Sequence, residues 1–117
     1  MARRDLSGAV DFAVLEAMTA GDQAICEEVL DLFVEQAGLW SVMLDPQTEG
    51  WRDGVHTIRG AAAGIGAGDL AARCAEAEML DAKQAAPALE RVRTALDAAL
   101  ADVAAYHHEL MLQSLRG

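Results

Sequence analysis

Apolar residues recur at steps of three and four along most of the chain, and nowhere do they alternate in steps of two over the length of a strand. The clearest run is Leu89, Val92, Leu96, Ala99, Val103, Tyr106 and Leu110, whose steps of 3, 4, 3, 4, 3, 4 trace a heptad-like seam on one long helix. Pro87 suits the first turn of that helix, where its missing N–H costs nothing. Upstream, Trp51, Val55, Ile58, Ala62 and Ile65 form a single stripe, predicting a helix from about Thr48 to Ile65. Gly64, Gly66 and Gly68 mark its end, and Asp69 is placed to cap the next helix, which runs to about Asp81 with Leu70, Cys74 and Ala77 inward. Before these, a helix from Gln23 to about Leu44 is predicted, with Ile25, Val29, Leu32, Phe33, Leu39, Trp40 and Met43 as its apolar face. Asp45-Pro46 ends it, because the residue before proline avoids the α region. A short helix from about Asp11 to Thr19 carries Phe12, Leu15 and Met18, and Ala20-Gly21-Asp22 supplies a stop and a new N-cap.

Helices joined by short connections turn back on their neighbours. The expected fold class is therefore all-α: an antiparallel four-helix bundle with a short N-terminal cover helix, as a stand-alone single domain over residues 1–117. Composition agrees, since hydrophobic residues make up 53 % of the chain but aromatics only 4 %, and much of the rest is alanine. A chain of 117 residues can bury a modest core without disulfide or metal staples. The formal net charge of −10 argues against nucleic acid, which needs clustered Lys and Arg, and against anionic membrane surfaces. It leaves a field that could steer a basic partner. Cys26 and Cys74 both fall among apolar helical positions and read as buried free thiols, which suits a reducing cytoplasm. Arg3-Arg4 is not followed by the apolar stretch of an export signal, because Asp5, Ser7 and Asp11 interrupt it. No run approaches the roughly 20 apolar residues of a membrane span. A cytoplasmic protein is expected.

One stretch departs from plain helix: His56-Thr57-Ile58-Arg59-Gly60. His56 follows the buried-stripe residue Val55 and so sits about 100° round from it, at the edge of the helix face or outside it. Arg59 and Gly60 lie three and four residues on, along the same ridge. Glycine there costs about 1 kcal/mol of helix propensity relative to alanine, in a chain that uses alanine freely. A larger side chain at position 60 would lean over His56; glycine leaves that space open, and Ala63 keeps the next turn small. A neutral imidazole is a competent nucleophile toward phosphorus, and Arg59 can neutralise phosphoryl oxygens. Phosphoryl transfer needs little beyond such positioning and charge.

The run from His56 to Ala67 resembles the signature of histidine-containing phosphotransfer (HPt) domains, roughly H-x-[LIF]-[KR]-G-[SA]-[SA]-x-x-[LI]-G. A downstream L-x-x-x-C-x-x-x-E/Q stretch is matched by Leu70, Cys74 and Glu78, and the helical layout fits over residues 10 to 112. The resemblance implies that His56 is the phosphoacceptor, that Arg59 stands where a basic residue, more often lysine, neutralises the phosphoryl group, and that Gly60 keeps the acceptor accessible. Glu78 falls where the family commonly has a glutamine that orients the imidazole; its carboxylate would also repel a nearby phosphoryl group. Ala61 replaces a common serine. The implied function is to accept a phosphoryl group from the aspartate of a response-regulator receiver domain and pass it to another receiver in a multistep two-component phosphorelay. Neither kinase nor ATPase activity is implied, and none of the nucleotide-binding glycine motifs occurs in the chain. No cofactor is expected, the Mg²⁺ of the reaction belonging to the receiver. The implied partners are receiver domains and a hybrid histidine kinase, met by a monomer through a hydrophobic patch around the exposed side of the second and third helices.

Other readings stay open on sequence. Asp53 and His56 form a D-x-x-H pair, but a bundle metal site needs a second pair, and Glu76 and Glu78 supply no histidine. His107-His108-Glu109 reads as a solvated or boundary cluster. Trp40 and Trp51 read as core or core-edge residues, with Trp51 alternatively bordering a docking face. A non-catalytic helical adaptor would share the bundle. So would a dimeric phosphotransferase related to histidine-kinase dimerisation domains, for which Leu110, Met111, Leu112 and Leu115 offer an apolar end.

Overall fold

The structure, a computed structural model, describes residues 8–116; the Arg3-Arg4 pair lies outside them. Five α-helices follow in order: α1 Phe12–Met18, α2 Gln23–Met43, α3 Trp51–Ile65, α4 Gly68–Glu78 and α5 Ala85–Leu115, with one 3-10 turn at Ala82–Gln84 before α5. No strand occurs among the described residues. α2 packs on α3 and α5, and α4 packs on the same two helices, so the four close a ring, with α1 laid on α3. Neighbours run antiparallel. Arg93 near the start of α5 donates to the carbonyls of Ser41 and Leu44 at the end of α2, at 3.3 and 2.9 Å. Glu76 near the end of α4 meets Arg91 near the start of α5 at 2.8 Å, and Arg52 at the start of α3 donates to the Leu80 carbonyl just past α4. No helix among the described residues is long and apolar enough to cross a membrane.

The core follows the seam on α5, where all seven of its residues are buried, with Leu70, Cys74 and Ala77 of α4 facing them. Each fully buried leucine or valine contributes about 1.5–3 kcal/mol relative to exposure. On α3 the buried residues are Trp51, Val55, Ile58, Ala62 and Ile65, the stripe read from the sequence. Both cysteines are free and buried. Asp11 and Asp22 cap α1 and α2 by accepting backbone N–H groups of Ala13 and Ile25.

Several expectations are corrected. On α2 the inner face is Cys26, Leu30, Phe33, Ala37 and Trp40, whereas Ile25, Leu32 and Leu39 lie exposed. The helix carries two adjacent apolar stripes, and the bundle covers only one. Met18 is also exposed, since α1 is a short cover that buries Phe12 and Leu15 alone. α3 begins at Trp51, and Thr48 belongs to the preceding turn. Asp69 does not cap α4. The helix starts one residue earlier, after Ala67, and Asp69 in its first turn pairs with Arg73 at 3.6 Å. α4 stops at Glu78, and Asp81 caps the 3-10 turn instead.

Three features tie the N-terminal segment to the bundle. Phe12 stacks on Tyr106 with centroids 4.0 Å apart, while the Tyr106 hydroxyl donates to Glu16 at 2.6 Å. Asp102, buried on α5, accepts the Val10 N–H at 3.2 Å. At the N-cap of α1, next to Val10, the Asp11 N–H donates to the Gly66 carbonyl at 2.8 Å. Gly66 adopts φ +82°, and a Cβ there would stand 2.3 Å from the Asp11 carbonyl oxygen, so α1 and the α3–α4 corner meet on glycine backbone.

Candidate functional site

The inward stripe of α3 fixes the orientation of its outer ridge. With Val55 and Ile58 fully buried, His56 must point outward, and its side chain is 64 % exposed. The antiparallel return of α4 brings Glu78 alongside: its Oε1 lies 2.7 Å from His56 Nδ1. A carboxylate can only accept, so this contact assigns the hydrogen to Nδ1 and leaves the Nε2 lone pair facing solvent. Arg59, one turn along α3, places Nη1 2.9 Å from Glu78 Oε2. Its Nη2 stands 3.3 Å from His56 Nδ1. Two donors cannot bond each other, so the pair that counts for Arg59 is the one with Glu78. The family resemblance had set Glu78 where the imidazole is held, and the structure places the two in contact. It also shows what the resemblance did not, that Arg59 is engaged by the same carboxylate.

Cys74 lies one turn before Glu78, fully buried. Burial pushes its thiol up to about 12, the Glu78 carboxylate adds to this, and Arg59 opposes it more weakly. It is therefore a neutral packing group beneath the ion pair and no nucleophile near neutrality.

A Cβ at Gly60 would meet nothing within 4 Å, and the same holds for Gly64. The space beside the ring is open, as expected. It is also wider than expected, because a methyl group at position 60 would not touch the ring and only a longer side chain could cover it.

Towards α2 the surface becomes apolar. A groove of about 330 Å³ runs between the helices, lined by Met18, Val29, Leu32, Phe33, Gln36 and Trp40 on one side and Ala61, Gly64 and Ile65 on the other. The ring thus stands on a ridge with charge on its α4 flank and a greasy trough on its α2 flank. Trp40 borders that trough, whereas Trp51 is a core residue with the Arg52 guanidinium 4.6 Å over its ring. The outer stripe of α2 reaches this trough at Leu32, a residue that periodicity alone placed on the inner face. Its signal was present in the sequence, as apolar residues too numerous for one face.

Among the described residues, no three His, Cys, Asp or Glu side chains come together as a metal site would require, and Asp53 and His56 gain no second pair. His107 sits 3.5 Å from Asp31 of α2, a boundary contact remote in sequence from the ridge.

Comparison with known proteins places the fold in a family. The family model described as Hpt domain matches residues 24–106, more than two thirds of the chain. A comparison with curated proteins found no match. Among solved structures, the chain is similar to the crystal structure of the histidine phosphotransferase ShpA from Caulobacter crescentus. The identity is 58 % and the TM-score 0.82, over 92 % of this chain and 99 % of that one. His56, with the ridge and bundle that present it, is thus found in a chain that belongs to the Hpt domain family.

Proposed function

We propose that this protein is a phosphorelay intermediate that takes a phosphoryl group onto His56 Nε2 from the aspartate of a receiver domain and hands it to another. One observation carries the proposal: an exposed imidazole whose Nδ1 is held by Glu78 at 2.7 Å, with Nε2 free beside an open surface. In the forward step the Nε2 lone pair attacks phosphorus, and the bond from phosphorus to the aspartyl oxygen breaks, its electron pair returning to the carboxylate. Glu78 holds the ring in the correct tautomer. Arg59, within reach of both Glu78 and the ring, neutralises the incoming phosphoryl oxygens. Gly60 leaves room for the partner's active site. The Mg²⁺ of the reaction is the receiver's.

The partner is a receiver domain, docked over the ridge with its apolar surface on the groove between α2 and α3; a hybrid kinase would present its own receiver in the same way. We place the protein in the cytoplasm as a monomer, a location that its two buried free thiols suit. The experiment is incubation with a phosphorylated receiver, followed by phosphate analysis of this protein. An acid-labile, base-stable phosphoryl group that disappears in His56→Ala is expected. A folded wild type that takes phosphate from no receiver of its host would overturn the relay in favour of a helical adaptor.

A further inference from the structure

We infer that the negative charge of Glu78, beyond its hydrogen bond, keeps the phosphorylated ring protonated at Nδ1 and so makes His56 a fast phosphoryl donor. The inference rests on His56 being the phosphoacceptor. When Nε2 bonds to phosphorus while Nδ1 keeps its hydrogen, the ring becomes a cation. In the next transfer the N–P bond breaks, its electron pair returns to Nε2, and the group that departs is neutral imidazole. Had the Nδ1 proton been lost beforehand, the departing group would be an imidazolate, a far poorer leaving group. An amide oxygen at position 78 could accept the same hydrogen bond, but it would not oppose the ring's positive charge.

The surroundings favour the cation. Glu78 Oε1 is 2.7 Å from Nδ1, and although the ring is 64 % exposed, the Glu78 side chain is only 17 % exposed, so water screens the pair from the ring side alone. From α3, Asp53 lies one turn before His56 and acts in the same sense, while Arg52, four residues before His56, acts against it but has its guanidinium on the Leu80 carbonyl and over the Trp51 ring. Arg59 acts against it, with Nη2 3.3 Å from Nδ1, but its charge is shared with Glu78 Oε2 at 2.9 Å. A phosphoryl group on Nε2 gives Arg59 a second anion to serve, and any shift toward it leaves the carboxylate more fully to the ring. From α4, Cys74 beneath Glu78 is a neutral thiol. From α2, the residues of the groove against α3 are Val29, Leu32, Phe33, Gln36 and Trp40, with Met43 beside Gly54, and none of them titrates.

The test loads wild type, Glu78→Gln and Glu78→Ala with phosphoramidate, a small donor that needs no receiver. The ³¹P shift of the phosphohistidine and its rate of loss are then followed against pH. Wild type should hold the protonated form to about one pH unit higher than Glu78→Gln, the low end of what an adjacent charge achieves. Between the two midpoints its phosphate should be lost up to about tenfold faster. Glu78→Gln should still load, since its oxygen orients the ring, and Glu78→Ala should load more slowly than Glu78→Gln. Equal midpoints and loss rates in wild type and Glu78→Gln would overturn the inference. So would failure of phosphoramidate to label His56 in wild type, for then Nε2 is no open nucleophile. A protein labelled by phosphoramidate but by no receiver would instead refute the relay while leaving the role of the charge decided.

Discussion

At the scale of single residues, Arg59 is held by Glu78 at 2.9 Å, and the proposed service to a phosphoryl group would mean exchanging that carboxylate for another acceptor. Arg59→Ala should slow transfer from the receiver by about tenfold, the worth of one charge-assisted hydrogen bond at an exposed site, and that is read directly from transfer kinetics. The open space beside Gly60 separates two substitutions. Gly60→Ala meets nothing and should leave transfer intact while adding up to about 1 kcal/mol of stability. Gly60→Glu should retain the fold yet abolish transfer, by reach and by repulsion of the phosphoryl group. Denaturant melts and transfer assays on the two variants check both outcomes. Cys74 carries the pH dependence. Its thiol ionises at 9.0 by its ordinary value and is held up to about 12 in the folded protein by burial and by Glu78. The folded state thus binds the extra proton between those values. The contribution is fully present below pH 9 and is lost as pH rises toward 12. Cys74→Ala should show a shallower alkaline decline of stability than wild type in urea titrations over that window.

The elements differ in how much of them could be foreseen. α3 has one apolar stripe, so burying it leaves a single orientation, and the outward placement of His56 follows from Val55 and Ile58 alone. α2 has two stripes side by side, and local periodicity cannot choose between them. The choice is made by α3 and α5, which cover Leu30, Phe33 and Ala37 and leave Leu32 and Leu39 in solvent. This uncovered stripe should matter to binding and not to folding. Leu32→Asp and Leu39→Asp should stay within about 0.5 kcal/mol of wild-type stability, while the affinity for a receiver, by calorimetry, should fall about tenfold or more. The corner between α3 and α4 behaves oppositely. Gly66→Ala forces an alanine to φ +82° and a methyl group against the Asp11 carbonyl, so a loss of about 2–4 kcal/mol in urea unfolding is expected.

Over the whole molecule, α5 is the common wall against which α2 and α4 pack, and its seam was legible because strict 3, 4 spacing admits no second solution. Two buried acids on that helix, Asp102 and Glu109, were not foreseen. They continue the register of Ala88 and Ala95 at steps of seven beside the seam, but an acid at such a position is ordinarily exposed, and Asp102 is accommodated through a contact 92 residues away in sequence, with the Val10 N–H. The relay site is likewise a property of the assembled bundle, because the ring, its cation and its carboxylate come from two helices running in opposite directions.

By itself the sequence determined the all-helical class, the seam of α5, the inward stripe of α3 and hence an outward His56 followed by Arg59 and Gly60. These are consequences of periodicity and propensity, which act within a turn or two of chain. Only the tertiary structure decided which stripe of α2 stays exposed, that Gly66 must be glycine, and that Glu78 binds the imidazole and the guanidinium together. Each of those depends on what a distant segment brings within a few ångströms, and residue spacing along one helix holds no record of that distance.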